Sequence, residues 1–225
     1  MFASIGDNLS AGIGVSKIFT LPILTALSVI LFLFVKKNQL LEKYGLCKSK
    51  VSASKMLFYI PLMLLMTSNL WYGVVIDFSI LETILHILSM FCVGFLEEMI
   101  FRGFLFRAME EENEKSAIIV SSVTFGMGHI LNLVNGSGAE FLPTILQVIY
   151  AIAVGFLFVM IFCKTKSLIS CIITHGMVNA ISIFANETMI TARREIISCI
   201  LITMIAGIYA IYITVMMKEE PIEDN

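Results

Sequence analysis

The feature that most constrains this chain is that its apolar residues come in seven long stretches, at about 18–35, 56–76, 79–101, 116–134, 141–163, 168–185 and 195–217. Each approaches the roughly 20 residues that an α-helix needs to cross about 30 Å of hydrocarbon. Seven such segments cannot all be hidden from water in a chain of 225 residues. A bilayer accommodates them, provided each helix satisfies its own backbone amides. Only 14% of the residues are charged and the mean hydropathy is +0.93, which excludes an ordinary soluble domain. The expected fold is therefore all-α: a polytopic membrane helical bundle of seven helices, or eight with one missed or re-entrant segment. Short connections leave room for a single integral-membrane domain over residues 1–225, with the polar residues of interest between 80 and 185.

The first stretch does not read as a removed signal peptide, because Lys36 and Lys37 follow it where a small-residue cleavage site would stand. The five cysteines are scattered and odd in number, which speaks against a disulfide framework or a zinc knuckle. A net charge of −2 gives no footprint for nucleic acid. Basic residues are unevenly placed. Lys36, Lys37, Lys43, Lys48, Lys50, Lys55, Arg107, Lys115, Lys164, Lys166 and Lys218 fall on one side of the alternating crossings, and Lys17, Arg193 and Arg194 on the other. By the positive-inside rule the N-terminus is outside, and the C-terminal "KEEPIEDN" is cytoplasmic, in a multi-pass protein of the cell membrane. "MEEENEK" reads as a solvated cytoplasmic helix end, and "NGSG" as an external turn.

Against that background "VGFLEEMIFRGFLF", residues 93–106, is anomalous, because it sets Glu97, Glu98 and Arg102 in an apolar run. A charge at membrane depth costs roughly 2.5–3.5 kcal/mol on insertion scales, so such residues face a partner or a wet cavity. With a turn of about 100° per residue, Glu98 and Arg102 lie about 40° apart, close enough to pair. Glu97 lies about 140° from Arg102 and is left free. The plainer reading is that both carboxylates only brace the helix end.

Three histidines complete the polar set. His129 ends "FGMGH", where Gly126 and Gly128 admit a close helix or loosen the backbone. His175 and Asn179 in "THGMVNA" share one helical face, as a site or as an interhelical hydrogen-bonding pair. His86 lies four residues after Glu82, so a local pair accounts for it. These residue types suit amide hydrolysis. A desolvated carboxylate can act as base on water, a histidine can orient that water or protonate the leaving amine, and an asparagine amide can hold an oxyanion. The same set could hold zinc, but there is no HExxH, and the expectation is no metal and no cofactor.

These segments resemble the CAAX prenyl protease and bacteriocin-processing (CPBP, or Abi) family of intramembrane proteases, which includes the Ras-converting CAAX endoproteases. Its EExxxR motif reads here "EEMIFR" (Glu97–Arg102), its FxxxH motif "FGMGH" (Phe125–His129), and its HxxxN motif "HGMVN" (His175–Asn179). The resemblance covers about residues 80–185. It implies a metal-independent glutamic endopeptidase whose site opens toward the cytoplasm. Glu97 would activate water, assisted by His129; His175 and Asn179 would shape the oxyanion site, and Glu98 with Arg102 would support the first carboxylate. It also implies membrane lipid and a peptide or lipidated protein as partners, such as a prenylated protein or a bacteriocin precursor.

Straight-helix bookkeeping conflicts with one shared site. At 1.5 Å per residue, Glu97 lies about 9 Å to the cytoplasmic side of its helix midpoint and His129 about 5 Å to the other side of its own, a gap on the order of 14 Å. Convergence then requires a displaced helix or a break near the glycines. Three rival readings exist: a thiol peptidase built on Cys171 and His175, a non-catalytic immunity or scaffold protein of the same fold, and a small proton-coupled transporter, which would usually show repeated halves.

Overall fold

The structure, a computed structural model, describes residues 2–135 and 138–219. The tail from 220 onward, the middle of the "NGSG" turn and the side chain of Lys218 lie outside the described residues. The helices are α1 (Phe2–Ala11), α2 (Thr20–Lys37), α3 (Ile60–Met66), α4 (Ile80–Glu98), α5 (Arg107–Met127), α6 (Phe141–Thr165), α7 (Ile169–Ile181) and α8 (Ala192–Glu219). A π-helical segment, Met99–Phe106, joins α4 to α5, and a 3-10 turn, Gly128–Leu133, extends α5.

All seven apolar stretches are largely helical, and the expected all-α membrane bundle is present. The stretches are not seven equal spans. Thr20–Lys37, Ile80–Leu133, Phe141–Thr165 and Ala192–Met216 are long and apolar enough to cross a membrane. The second folds back on itself at Asn113, whose extended backbone (φ −157°, ψ 98°) divides α5 inside "MEEENEK". The Asn113 carboxamide accepts the Ser116 amide at 2.9 Å and so restarts the helix after the corner. The 56–76 stretch gives only a short helix, because Thr67 turns its hydroxyl onto the Leu64 carbonyl and the chain tightens into a 3-10 turn at Ser68–Leu70. α7 is also short and ends in a 3-10 turn, Ser182–Phe184.

Local sequence sets the start of α4. Ser79 and Glu82 form a capping box, the Ser79 hydroxyl accepting the Glu82 amide while the Glu82 carboxylate accepts the Ser79 amide. α4 then runs antiparallel to α7, and Gly94 meets Gly176 so closely that a Cβ on Gly94 would stand 2.7 Å from the Gly176 amide nitrogen. α5 runs antiparallel to α6 and α8 parallel to it, with Cys199 bonded to the Leu146 carbonyl. The main core joins Leu157, Phe158 and Ile161 of α6 to Ala206, Tyr209 and Ile213 of α8 and to Leu62 and Leu65 of α3.

The connection after α2 is tied beneath one end of the bundle. Lys50 donates its amide to the Thr165 carbonyl at 2.9 Å, Leu168 donates to Gly45 at 2.8 Å, and Tyr44 packs edge-on against Phe104. Lysines 36, 37, 43, 48 and 50 therefore share an end with Arg107, Lys164 and Lys166. The opposite end holds Lys17, bonded to Asp7, and Arg194, whose guanidinium lies over Tyr72.

Candidate active site

The centre of the site is the junction of α4 with the π-helical segment, where successive turns are widened to an i→i+5 pattern. Glu98 and Arg102 form the ion pair expected from their spacing, Nη1 to Oε1 at 2.9 Å, with both side chains fully buried. The guanidinium lies between two aromatic faces, 4.2 Å from the Phe125 ring centroid and 5.5 Å from that of Phe158. The rings replace only part of the lost water, since Glu98 Oε2 and Arg102 Nε and Nη2 are buried with no hydrogen-bond partner among the described residues.

Glu98 has a second partner that the spacing alone did not indicate. His175 of α7 brings Nδ1 to 2.9 Å from the same Oε1. A carboxylate only accepts hydrogen bonds, so Nδ1 carries the proton and the ring orientation is fixed. Nε2 then faces Glu97, at 3.6 Å from Oε2. That distance is a polar contact rather than a direct hydrogen bond. Glu97 keeps 36% of its side chain exposed while its neighbour Glu98 has none, so the two adjacent carboxylates are one free and one committed.

Phe125 ties the second motif to the other two. Its ring packs edge-on against His129 (5.7 Å between centroids), His175 (5.5 Å) and Phe101 (5.3 Å). The Ser121 hydroxyl donates to the Phe101 carbonyl at 2.8 Å, which sets the antiparallel register of α5 against the π-helical segment. Four residues further along each chain, Phe125 stands level with Glu97, and His129 is one turn, about 6 Å, beyond. The Asn113 corner and the π-helical segment set a register that straight spans do not give, and Phe125 links His129 to the His175–Glu97 contact. Gly126 makes the close approach to α6, where its Cβ would meet the Ile152 amide nitrogen at 2.8 Å. No hydrogen bond or ion pair joins Glu97 to His129 among the described residues.

A cavity of about 490 Å³ begins at Phe125, His129, His175 and Asn179. It runs toward the end of the bundle opposite the lysine-rich one, past Phe158 and Tyr150 to Tyr72, Glu140 and Glu195, and not toward the basic end, where the family resemblance placed the opening of the site. The Asn179 carboxamide has no hydrogen-bond partner among the described residues and is available to whatever fills the cavity. Much of the far wall comes from outside the motif-bearing region: Leu65, Asn69 and Tyr72 around α3, and Glu195, Ser198 and Ile202 of α8. The sequence signal for these was polar side chains inside apolar stretches that carry no motif.

Two sequence readings are corrected. His86 does not pair with Glu82, which is occupied by the Ser79 cap and the Ser16 amide. Instead His86 reaches α7, with Nε2 at 3.2 Å from the Asn179 carbonyl and 3.4 Å from the Ser182 hydroxyl. Cys171 does share α7 with His175, but it is fully buried, bonded to the Phe158 carbonyl and off the cavity wall. All five cysteines are free thiols. Among the described residues no three His, Cys, Asp or Glu side chains converge as metal ligands.

Fold and site together define a polytopic helical membrane protein with a Glu–Arg–His network at the root of an internal cavity. The family model for type II CAAX prenyl endopeptidase, Rce1-like, matches residues 79–181, from the Ser79 cap to the end of α7. That stretch holds all three motifs and is similar to the Rce1-like CAAX protease family, which points to a protease, and the long apolar helices make the chain a multi-pass membrane protein. Neither a curated protein nor a solved structure matches it.

Proposed function

We propose that this chain hydrolyses a peptide bond in a membrane-associated peptide or lipidated protein, with Glu97 activating the water. The observation that carries the reading is the meeting of the three motif segments: His175 contacts both Glu97 and Glu98, and Phe125 packs on Arg102, His129 and His175. Glu97 takes a proton from water, whose oxygen attacks the substrate carbonyl carbon. His129, one turn further along the cavity, assists in holding that water. His175, in its doubly protonated form, donates through Nδ1 to Glu98 and through Nε2 to the carbonyl oxygen as negative charge develops on it, beside the unpartnered Asn179 amide. The C–N bond then breaks, and the proton held by Glu97 passes to the leaving amine. Arg102 holds Glu98 in place through their ion pair. Metal is assigned no part, and the lysine-rich end is the cytoplasmic one, with the N-terminus outside.

The test is terminal peptidomics of membranes carrying the native chain or Glu97→Gln. Products that vanish in the variant support the reading, with an expected rate loss of about 10²–10⁴-fold for losing a general base. If the two membranes give the same peptides and the same biological effect, the chain is a non-catalytic scaffold or immunity protein instead. Cys171→Ala should retain full activity; loss of turnover without loss of folding would return the thiol mechanism to contention.

A further inference from the structure

The connection between α2 and α3, residues 38–59, carries none of the motifs and none of the cavity wall, yet it holds two unusual features. The first is a division of its side chains. Val51, Met56 and Tyr59 join the main core, and Leu41, Tyr44 and Leu46 pack against the cluster of Val35, Phe106 and Phe162. Lys43, Lys48 and Lys50 are exposed, and no hydrogen bond or ion pair holds their ammonium groups among the described residues. The only carboxylate within the connection is Glu42. The second feature is strain. Leu57, Phe58 and Tyr59 are consecutive non-glycine residues in left-handed backbone, with φ of 49°, 49° and 58°. Side chains with a Cβ avoid this region unless their surroundings impose it. Here the Tyr209 hydroxyl donates to the Met56 carbonyl at 2.7 Å, the Tyr212 hydroxyl to the Lys55 carbonyl at 3.0 Å, and the Phe58 amide to the Ala53 carbonyl at 2.7 Å. The turn so fixed leaves Leu57 41% and Phe58 63% exposed. In water that arrangement is unfavourable twice, as a strained backbone and as a displayed apolar pair.

We propose that this connection is a docking surface for anionic phospholipid, its lysines meeting the headgroup phosphates and the Leu57–Phe58 turn the first carbons of the acyl chains. Its depth fits. The apolar run of α2 stops at Lys36 and Lys37, and α3 begins with the exposed Ile60, Met63 and Leu64, so the chain between them lies where hydrocarbon gives way to headgroups. Its two parts are also neighbours. Val51 and Tyr59 enter one core cluster, which keeps the adjacent Lys50 and Phe58 at the same end of the molecule. Lysines beside a membrane helix attract anionic lipid. Charge alone would accept any polyanion; the apolar turn selects one that carries hydrocarbon. The acidic corner at Asn113 repels the same headgroups, so enrichment is expected beside Phe58 rather than around the whole rim. A lipid held there braces the turn from which α3 starts, and α3 supplies Leu65 to the cavity wall. Binding of this kind is independent of the proteolytic reading above.

The test reads fluorescence from the full chain in vesicles and needs no turnover. Trp71 is the only tryptophan, so Trp71→Phe with Phe58→Trp gives a single probe at the turn. The vesicles hold phosphatidylglycerol and phosphatidylcholine in equal parts, with bromine on the acyl chains of one lipid or the other. Brominated phosphatidylglycerol should quench Phe58→Trp as though enriched about fivefold over phosphatidylcholine, the effect of one lysine–headgroup attraction. A reference probe at Ile80→Trp, exposed at the opposite end of the bundle, should be quenched alike by both lipids. Lys48→Gln/Lys50→Gln should bring the Phe58→Trp preference close to parity, and Lys48→Arg/Lys50→Arg should keep it. Sodium chloride at about 0.5 M should reduce it without any change at the lysines. Circular dichroism checks that each variant folds. Equal quenching of Phe58→Trp by the two lipids, or no quenching by either, overturns the surface. A preference that survives both the Lys→Gln variant and the salt overturns it as well, because these lysines would then not be its source.

Discussion

At the scale of single residues, two neighbouring carboxylates have different surroundings. Glu98 is fully buried and spends one oxygen on both Arg102 and His175, so its charge is committed to structure. Glu97 makes one long polar contact and keeps 36% of its side chain exposed, as the proposed base requires. Removing a single partner of a buried ion pair leaves an uncompensated charge, typically at a cost of about 3–5 kcal/mol. Arg102→Met should therefore lower the unfolding midpoint in detergent sharply, and the double variant Glu98→Gln/Arg102→Met should recover part of the loss. A double variant no more stable than the single one would mean that the aromatic packing of Arg102, not its charge, is what matters. His86 offers a second residue-level prediction. Its contact with the Asn179 carbonyl sets the last turn of α7, so His86→Leu should lower turnover while costing only about 0.5–1.5 kcal/mol of stability, the range for one hydrogen bond. Unchanged turnover would reduce His86 to an interhelical tie.

At the scale of elements, the spacing arguments succeeded where an interaction is local and failed where it depends on a break in regular structure. The Glu98–Arg102 pair survives entry into the π-helical segment because four residues still bring the side chains together. The depth of His129 could not be read from span midpoints, because the corner at Asn113 and the widened turns reset the register. His86 was misassigned for a related reason. Glu82 has a stronger local use as the Ser79 cap, which frees the imidazole for a partner 93 residues away. α4 and α7 meet glycine to glycine, and Gly94→Val should separate them and abolish folding or activity. Gly207→Val, on an open face of α8, should be tolerated by comparison. Equal tolerance of both would show that the α4–α7 approach carries no weight in assembly.

At the scale of the whole molecule, charge and cavity lie at opposite ends. The lysine-rich connection is pinned under the α6–α7 turn, while the cavity runs from the motif residues toward Glu140 and Glu195. With the lysine-rich end in the cytoplasm, a membrane-impermeant maleimide should label Glu187→Cys in intact cells and Lys43→Cys only after lysis, both in a Cys47→Ser background; each position is exposed. The reverse pattern would invert the assigned topology and direct the cavity inward. The sequence by itself determined that the chain is a helical membrane bundle, which ends are basic, and which polar residues are too costly to be incidental, because these follow from hydropathy, period and charge along a single helix. The tertiary structure decided that His175 is held by Glu98 and that α3 and α8 wall the cavity. Those are relations between segments far apart in the chain, fixed by helix breaks and glycine-to-glycine approach that no local period encodes.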